Sequence, residues 1–160
     1  MKAVTITQIK RELNLLNEQD KTELILKLAR FKKDNKELLT YLLFEAENED
    51  GYIEIIKEEM DGLFTEVRTS HYYYMRKGVR KILARTKKYI RYSKLKTTEA
   101  LLLMHFCQNL KELSPSYKNS TQLSNVFDRQ VISIEKAIGT LHEDLQYDYE
   151  LELNELIENA

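Results

Sequence analysis

The sequence predicts an all-α domain, and three observations carry that prediction. Apolar residues recur at steps of three and four along most of the chain, the spacing that lines one face of a helix. One proline, Pro115, and four glycines interrupt 160 residues, so few strong breakers limit helix length. The β-branched residues form no alternating run of the kind a half-buried strand needs. A chain of this size can bury a core without disulfide or metal support. Its composition, 42% hydrophobic and 32% charged, suits a soluble, helix-rich fold.

About seven helices are expected. The first covers residues 5–16, with Ile6, Ile9, Leu13 and Leu16 on one stripe. Asn17, with Asp20 in the turn after it, signals the start of a second helix over 18–32. That helix would bury Leu24, Leu28 and Phe31, with Ile25 alongside. Asp34 followed by Glu37 has capping-box spacing and opens a third helix through residue 47. Leu38, Leu39, Tyr41, Leu42, Leu43 and Phe44 are too many for one stripe, so this helix should pack on more than one side.

Asp50 and Gly51 read as a turn, after which Ile53, Ile56, Met60, Leu63 and Val67 form the stripe of a fourth helix. A fifth covers 72–94. A sixth, over 98–113, is dense with Leu101, Leu102, Leu103, Met104, Phe106, Cys107 and Leu110. Ser114, Pro115 and Ser116 end it, and residues 115–120 are the most loop-like stretch in the chain. The last helix starts near residue 121, with Leu123, Phe127, Ile134, Ile138, Leu141 and Leu145 on a stripe that crosses Gly139 in phase. Beyond it, Tyr147, Tyr149, Leu151 and Leu153 alternate with acids, a pattern open to a strand, a docking tail or a helix end.

These elements are expected to form a single domain over 1–160, with possible sub-layers at 1–48 and 49–160. Short N-terminal helices would lie on a bundle of longer antiparallel ones. No repeat near the ~40-residue period of stacked helix pairs supports a solenoid. The core should include Leu28, Leu42, Ile56, Leu63, Val79, Ile82, Leu103, Phe106, Ile134 and Leu141.

Charge is the strongest functional signal. Residues 67–98 contain no Asp or Glu and eleven Lys and Arg, although the whole chain has a formal charge of only -1. Five of the ten tyrosines lie among them: Tyr72, Tyr73, Tyr74, Tyr89 and Tyr92. On a helical wheel, Met75, Val79, Ile82, Leu83, Thr86, Tyr89 and Ile90 share one face. Arg76, Lys77, Arg80, Lys81, Arg85, Lys87, Lys88 and Arg91 fill the other and make a candidate anion or nucleic-acid patch. Tyr74 and Tyr89 are expected inside, with Tyr73 and Tyr92 exposed. Neutralisation from within is the competing account. Acids of the fourth helix, among them Glu54, Glu58, Glu59, Asp61 and Glu66, could supply it. So could the seven acids and no base that follow Lys136. Partial pairing is expected.

Catalytic patterns are missing from the sequence. Arg68, Leu102 and Gly139 stand three residues before His71, His105 and His142, so no Glu-x-x-His metal motif occurs. The glycines are too scattered for a phosphate-cradling loop. The single Cys107 lies in an apolar run and reads as buried packing, and it cannot form an internal disulfide. His142, Glu143 and Asp144 are consecutive helix positions that diverge by roughly a hundred degrees and cannot converge on one ion. A histidine meeting carboxylates in a deep polar pocket would argue the other way. No enzyme activity, cofactor or metal is expected, and a small-molecule substrate is not favoured.

Residues 100–106, the longest uncharged apolar run, fall far short of the ~20 a membrane helix needs, and no signal-like N-terminal run occurs. A cytoplasmic protein is expected, without a membrane role. The favoured function is a binding or scaffold role toward a protein partner or a second copy. Tyr147, Tyr149, Leu153 and Ile157 form the candidate partner-contact tail. Nonspecific binding of nucleic-acid backbone through the basic helix is the alternative.

Overall fold

Four helix starts carry a side chain that satisfies an unpaired backbone amide. In the computed structural model, which describes residues 1–159, Thr5 Oγ1 accepts from the Gln8 amide at 3.3 Å. Gln8 Oε1 accepts from the Thr5 amide at 3.0 Å, completing the capping box that opens α1 (Ile6–Leu15). Asn17 Oδ1 accepts from the Asp20 amide at 2.8 Å and starts α2 (Glu18–Phe31). Asn48 does the same for the Gly51 amide at 3.2 Å, starting α4 (Glu49–Thr65). Asp50 and Gly51 are therefore the first turn of a helix and not a free turn, with Glu49 and Asp50 placed where a helix dipole favours acids.

The third helix departs from expectation. Only Lys32 separates α2 from α3 (Lys33–Thr40), and it caps α3 without a side-chain hydrogen bond. Asp34 is already inside the first turn and cannot act as the cap. The backbone then widens into a π turn at Tyr41–Glu45, so the long third helix expected through residue 47 is cut short.

Two compact units divide the chain, one spanning Met1–Phe44 and the second beginning at Glu45. In the first, α1, α2 and α3 contain no buried residue. Leu28 and Leu42, expected in the core, are 51% and 54% exposed. Three helices of eight to fourteen residues present too little apolar surface to enclose one another.

The second unit is built around α6 (Lys96–Glu112), which packs against α4, α5 (Tyr72–Ser93), α7 (Thr121–Ile138) and α8 (Glu143–Glu158). Its residues are buried on nearly every side, from Thr98 and Ala100 through Leu102, Leu103, Phe106, Cys107 and Leu110. Ile56, Val79, Ile82, Leu103, Phe106 and Ile134 are buried as expected, while Leu63 and Leu141 are half-buried. Leu63 packs at the edge of the core, and Leu141 lies in the break between α7 and α8. That break makes eight helices rather than seven among the described residues. Gly139 closes α7, its amide bonding Glu135 O at 2.9 Å. His142 Nδ1 accepts from the Asp144 amide at 3.4 Å and restarts the chain as α8. The alternating tail is helical, not a strand.

Polar contacts pin the helices at their ends. Glu49 accepts hydrogen bonds from Ser93 Oγ and Thr98 Oγ1, tying α4 to the α5–α6 corner. Tyr52 Oη donates to Tyr89 O at 3.0 Å, and Tyr72 Oη donates to Ser116 O at 2.8 Å. The short 3-10 turn Tyr117–Asn119 is held by the Tyr117 ring, stacked on Phe127 with centroids 4.9 Å apart. All these elements are α-helices or helical turns, and no strand occurs among the described residues. No helix among them is long and apolar enough to cross a membrane.

Two substitutions test this packing. Phe106, fully buried beside Phe64, should lose about 3–5 kcal/mol on replacement by Ala, read by chemical denaturation. Lys94 ends α5 in the left-handed region at φ 62°, where a side chain is strained. Lys94→Gly should raise stability by about 0.5–1 kcal/mol, and a loss would contradict the strain.

Candidate anion interface

The site begins with which face of α5 is buried. Met75, Val79, Ile82 and Thr86 point into the core at steps of four, three and four. A helix with one such stripe must turn its other side outward, and the residues there are cations. A Cβ at Gly78 would come within 3.4 Å of the Val67 methyls, so the glycine leaves α5 room beside the residue that follows α4.

The eight predicted patch residues separate into distinct environments. Arg85 pairs with Glu59, and Tyr89 Oη donates to the same carboxylate at 2.9 Å. Arg85 Nε also donates to Tyr89 Oη at 3.1 Å, a three-member link between α4 and α5. Burial and the Glu59 carboxylate push the Tyr89 phenol above its ordinary pKa. Arg76 donates to Gln122 Oε1 on α7 at 3.0 Å. Lys88 has an interaction of its own. The remaining five, Lys77, Arg80, Lys81, Lys87 and Arg91, have no carboxylate in salt-bridge reach among the described residues. Internal neutralisation is thus partial, as the sequence predicts. Two acids of the fourth helix are engaged elsewhere, Glu54 with Lys57 and Asp61 with His105.

Two grooves flank the exposed ridge. On one side, Arg80, Leu83 and Lys87 of α5 face Gln122, Asn125 and Arg129 of α7 across a groove of about 570 Å³. No carboxylate among the described residues lines it. Gln130 is also in the lining; it is 2% exposed, its Nε2 donates to Val126 O at 3.0 Å, and its Oε1 has no partner. On the other side, Lys77, Lys81 and Arg85 share a groove of about 360 Å³ with Arg68, Tyr74 and Glu66. Tyr74, expected in the core, is 38% exposed and lies under the Arg68 guanidinium at 4.2 Å. Tyr73 is 61% exposed, whereas Tyr92, expected outside, is half-buried.

The α7 contribution was not anticipated from the sequence. Gln122, Asn125, Arg129 and Ser133 follow one another at steps of three and four, and that polar stripe was the available signal. The predicted contact tail is split by the fold. Tyr147 and Ile157 are exposed, Tyr149 packs half-buried against the core, and Leu153 is buried within it. Leu153 is therefore a core residue and not part of an exposed contact stripe.

A second polar cluster joins α4 to α6. His105 Nε2 lies 2.6 Å from Asp61 Oδ1, and Asn109 Nδ2 donates to the same oxygen at 2.9 Å. Burial raises the Asp61 carboxyl, but hydrogen bonds from Asn109 and His105 and the nearby positive charge outweigh it and hold its pKa below 3.8. The cleft around it is open, and the Asp61 side chain is 53% exposed, so this is not a deep pocket. Thr65, the hydroxyl in that cleft, donates to Gly62 O at 2.7 Å and not to the histidine. The geometry is that of a clamp between helices. Cys107 is fully buried, and desolvation pushes its thiol up to about 12, far from a nucleophile's range. No group of three metal-ligating side chains gathers among the described residues.

Comparison with protein-family models, with curated proteins and with solved structures finds no significant match to this chain.

The lowered Asp61 carboxyl gives a signed prediction. A depressed folded pKa stabilises above the unfolded value near 3.8, and that contribution is lost as pH falls through the folded value. The stability difference between the parent and Asp61→Asn should be present at neutral pH and shrink below pH 3.8. A difference constant through that range would contradict the clamp.

Proposed function

We propose that this chain is a non-catalytic binding protein that holds nucleic-acid backbone along the α5–α7 face. One observation carries the reading: Arg80, Lys87 and Arg129 converge on a groove that no carboxylate among the described residues lines. Like charges crowded together repel, and the arrangement becomes favourable when a polyanion displaces its counterions. The amides of Gln122 and Asn125 beside the cations suit phosphate oxygens, which accept hydrogen bonds from neutral donors as well as from charged ones. An α5 of 22 residues is about 33 Å long, close to one turn of duplex. Contacts to phosphate carry no sequence information, so the binding proposed follows backbone charge. Exposed Tyr73 offers a ring on which an unpaired base can stack. The sequence alone favours a protein partner. The five cations without a carboxylate partner among the described residues support the nucleic-acid alternative. A reducing, cytoplasmic setting is supported by the lone, buried thiol of Cys107.

Fluorescence anisotropy with a nonspecific duplex and with single-stranded RNA tests the reading. Weak binding at low salt should fall about a thousandfold between 50 and 200 mM salt, the slope of roughly six phosphate contacts. Combined reversal of Lys77, Arg80, Lys81 and Arg129 to Glu should abolish it. The variant should keep the circular dichroism of the parent, since none of these four has a carboxylate partner among the described residues. No binding at low salt, or binding indifferent to salt, would sink the proposal.

A further inference from the structure

The floor of the α5–α7 groove holds a group that no phosphate can satisfy. Arg80, Lys87, Gln122, Asn125 and Arg129 form the exposed rim, whereas Leu83 and Val126 are half-buried and Gln130 is buried. Gln130 Nε2 donates to Val126 O at 3.0 Å, and a carbonyl only accepts, so that bond fixes which end of the amide is oxygen. The oxygen, Oε1, has no partner, and no other fully buried side-chain nitrogen or oxygen among the described residues lacks one. Buried acceptors are nearly always paired. One left open in the wall of a groove is a place for a ligand's donor.

If the groove holds nucleic-acid backbone, as proposed above, that donor can be named. Phosphate oxygens at neutral pH accept hydrogen bonds and donate none. Deoxyribose adds no donor within a continuous strand, so DNA backbone meets the cationic rim and leaves Gln130 Oε1 unpaired. Ribose differs by one hydroxyl at every nucleotide, and the 2′-hydroxyl donates as well as accepts. It sits on the sugar between successive phosphates, so a strand held by the rim cations carries it into the groove. Gln122 suits the phosphate side of such a contact. Its Oε1 already accepts from Arg76 at 3.0 Å, which leaves its amide nitrogen to donate.

We infer that the α5–α7 groove distinguishes RNA from DNA, with Gln130 Oε1 accepting a hydrogen bond from a ribose 2′-hydroxyl. The oxygen is closed to solvent in the free protein, so the bond forms with a small rotation of the carboxamide toward the groove its side chain lines. Arg80, Lys87 and Arg129 supply affinity through charge, and Gln130 supplies the preference for one sugar.

Three uridine oligonucleotides of one length test this on the full chain by fluorescence anisotropy at low salt: ribo, 2′-deoxy and 2′-O-methyl. All carry the same base, so a base donor treats them alike. The 2′-O-methyl strand keeps the 2′ oxygen and the ribose pucker but has no hydrogen to donate. The parent should bind the ribo strand about tenfold more tightly than either of the others, the size of one hydrogen bond gained. Gln130→Met conserves volume and removes the acceptor, and it should bind all three within about twofold. Removing an unpaired buried acceptor relieves the fold, so this variant should keep the parent's circular dichroism. In the parent alone, a 2′-O-methyl strand that binds like the ribo strand assigns the preference to pucker and overturns the inference. So does a ribo preference that persists in Gln130→Met. Equal, salt-dependent binding of all three strands by the parent overturns it too, while leaving the proposed backbone binding in place. Absence of binding to every strand removes both.

Discussion

Everything distinctive about the second unit follows from the inner stripe of α5. Met75, Val79, Ile82 and Thr86 are almost fully buried against α4 and α6. Each such apolar side chain contributes roughly 1.5–3 kcal/mol relative to exposure, far more than a surface ion pair. The orientation of the helix is therefore decided by its apolar face, and its cations go wherever that leaves them. A rotation that brought Lys77 and Lys81 toward the acids of α4 would pull Val79 and Ile82 out of the core. Hydrophobic burial maintains the exposed ridge of positive charge.

Around that stripe the polar groups serve position rather than chemistry. Glu49 gathers Ser93 and Thr98, and Glu59 gathers Arg85 and Tyr89. Asp61 gathers His105 and Asn109. These three carboxylates of α4 thus face groups from a neighbouring helix, which satisfies them locally and fixes the helix register. Of these three, only Glu59 pairs with a cation of α5. Lys111 similarly donates to Leu156 O at 2.7 Å near the end of α8, where exposed carbonyls favour a cation. Gln130 Oε1 stands apart as a buried acceptor with no partner.

Fold class, the cap at Asn17 and the amphipathic face of α5 were legible in the sequence, because each depends on neighbours within one or two turns. What was not legible depends on tertiary context. Leu28 and Leu42 carry the same apolar signal as Ile56 and Leu103, and spacing alone does not say which stripes find a partner surface. Gly139 interrupted no hydrophobic phase, yet the chain stops there because Gly is a poor helix former and an acidic first turn follows. Asp61 and His105 are 44 residues apart, and no local rule brings them to 2.6 Å. The basic half of the interface could be read from composition. The half supplied by Arg129 and Gln122 required knowing that α7 runs beside α5.

The proposed function divides α5 between an inner face that packs and an outer face that would hold a polyanion. Hydrogen–deuterium exchange with and without a saturating single-stranded RNA, at low salt, examines both at once. Protection should appear in α5 around Arg80 and Lys87 and in α7 around Arg129, with amides of α6 unchanged because they are already sealed in the core. Protection confined to α8 or the N-terminal unit, with α5 and α7 unaltered, would contradict it.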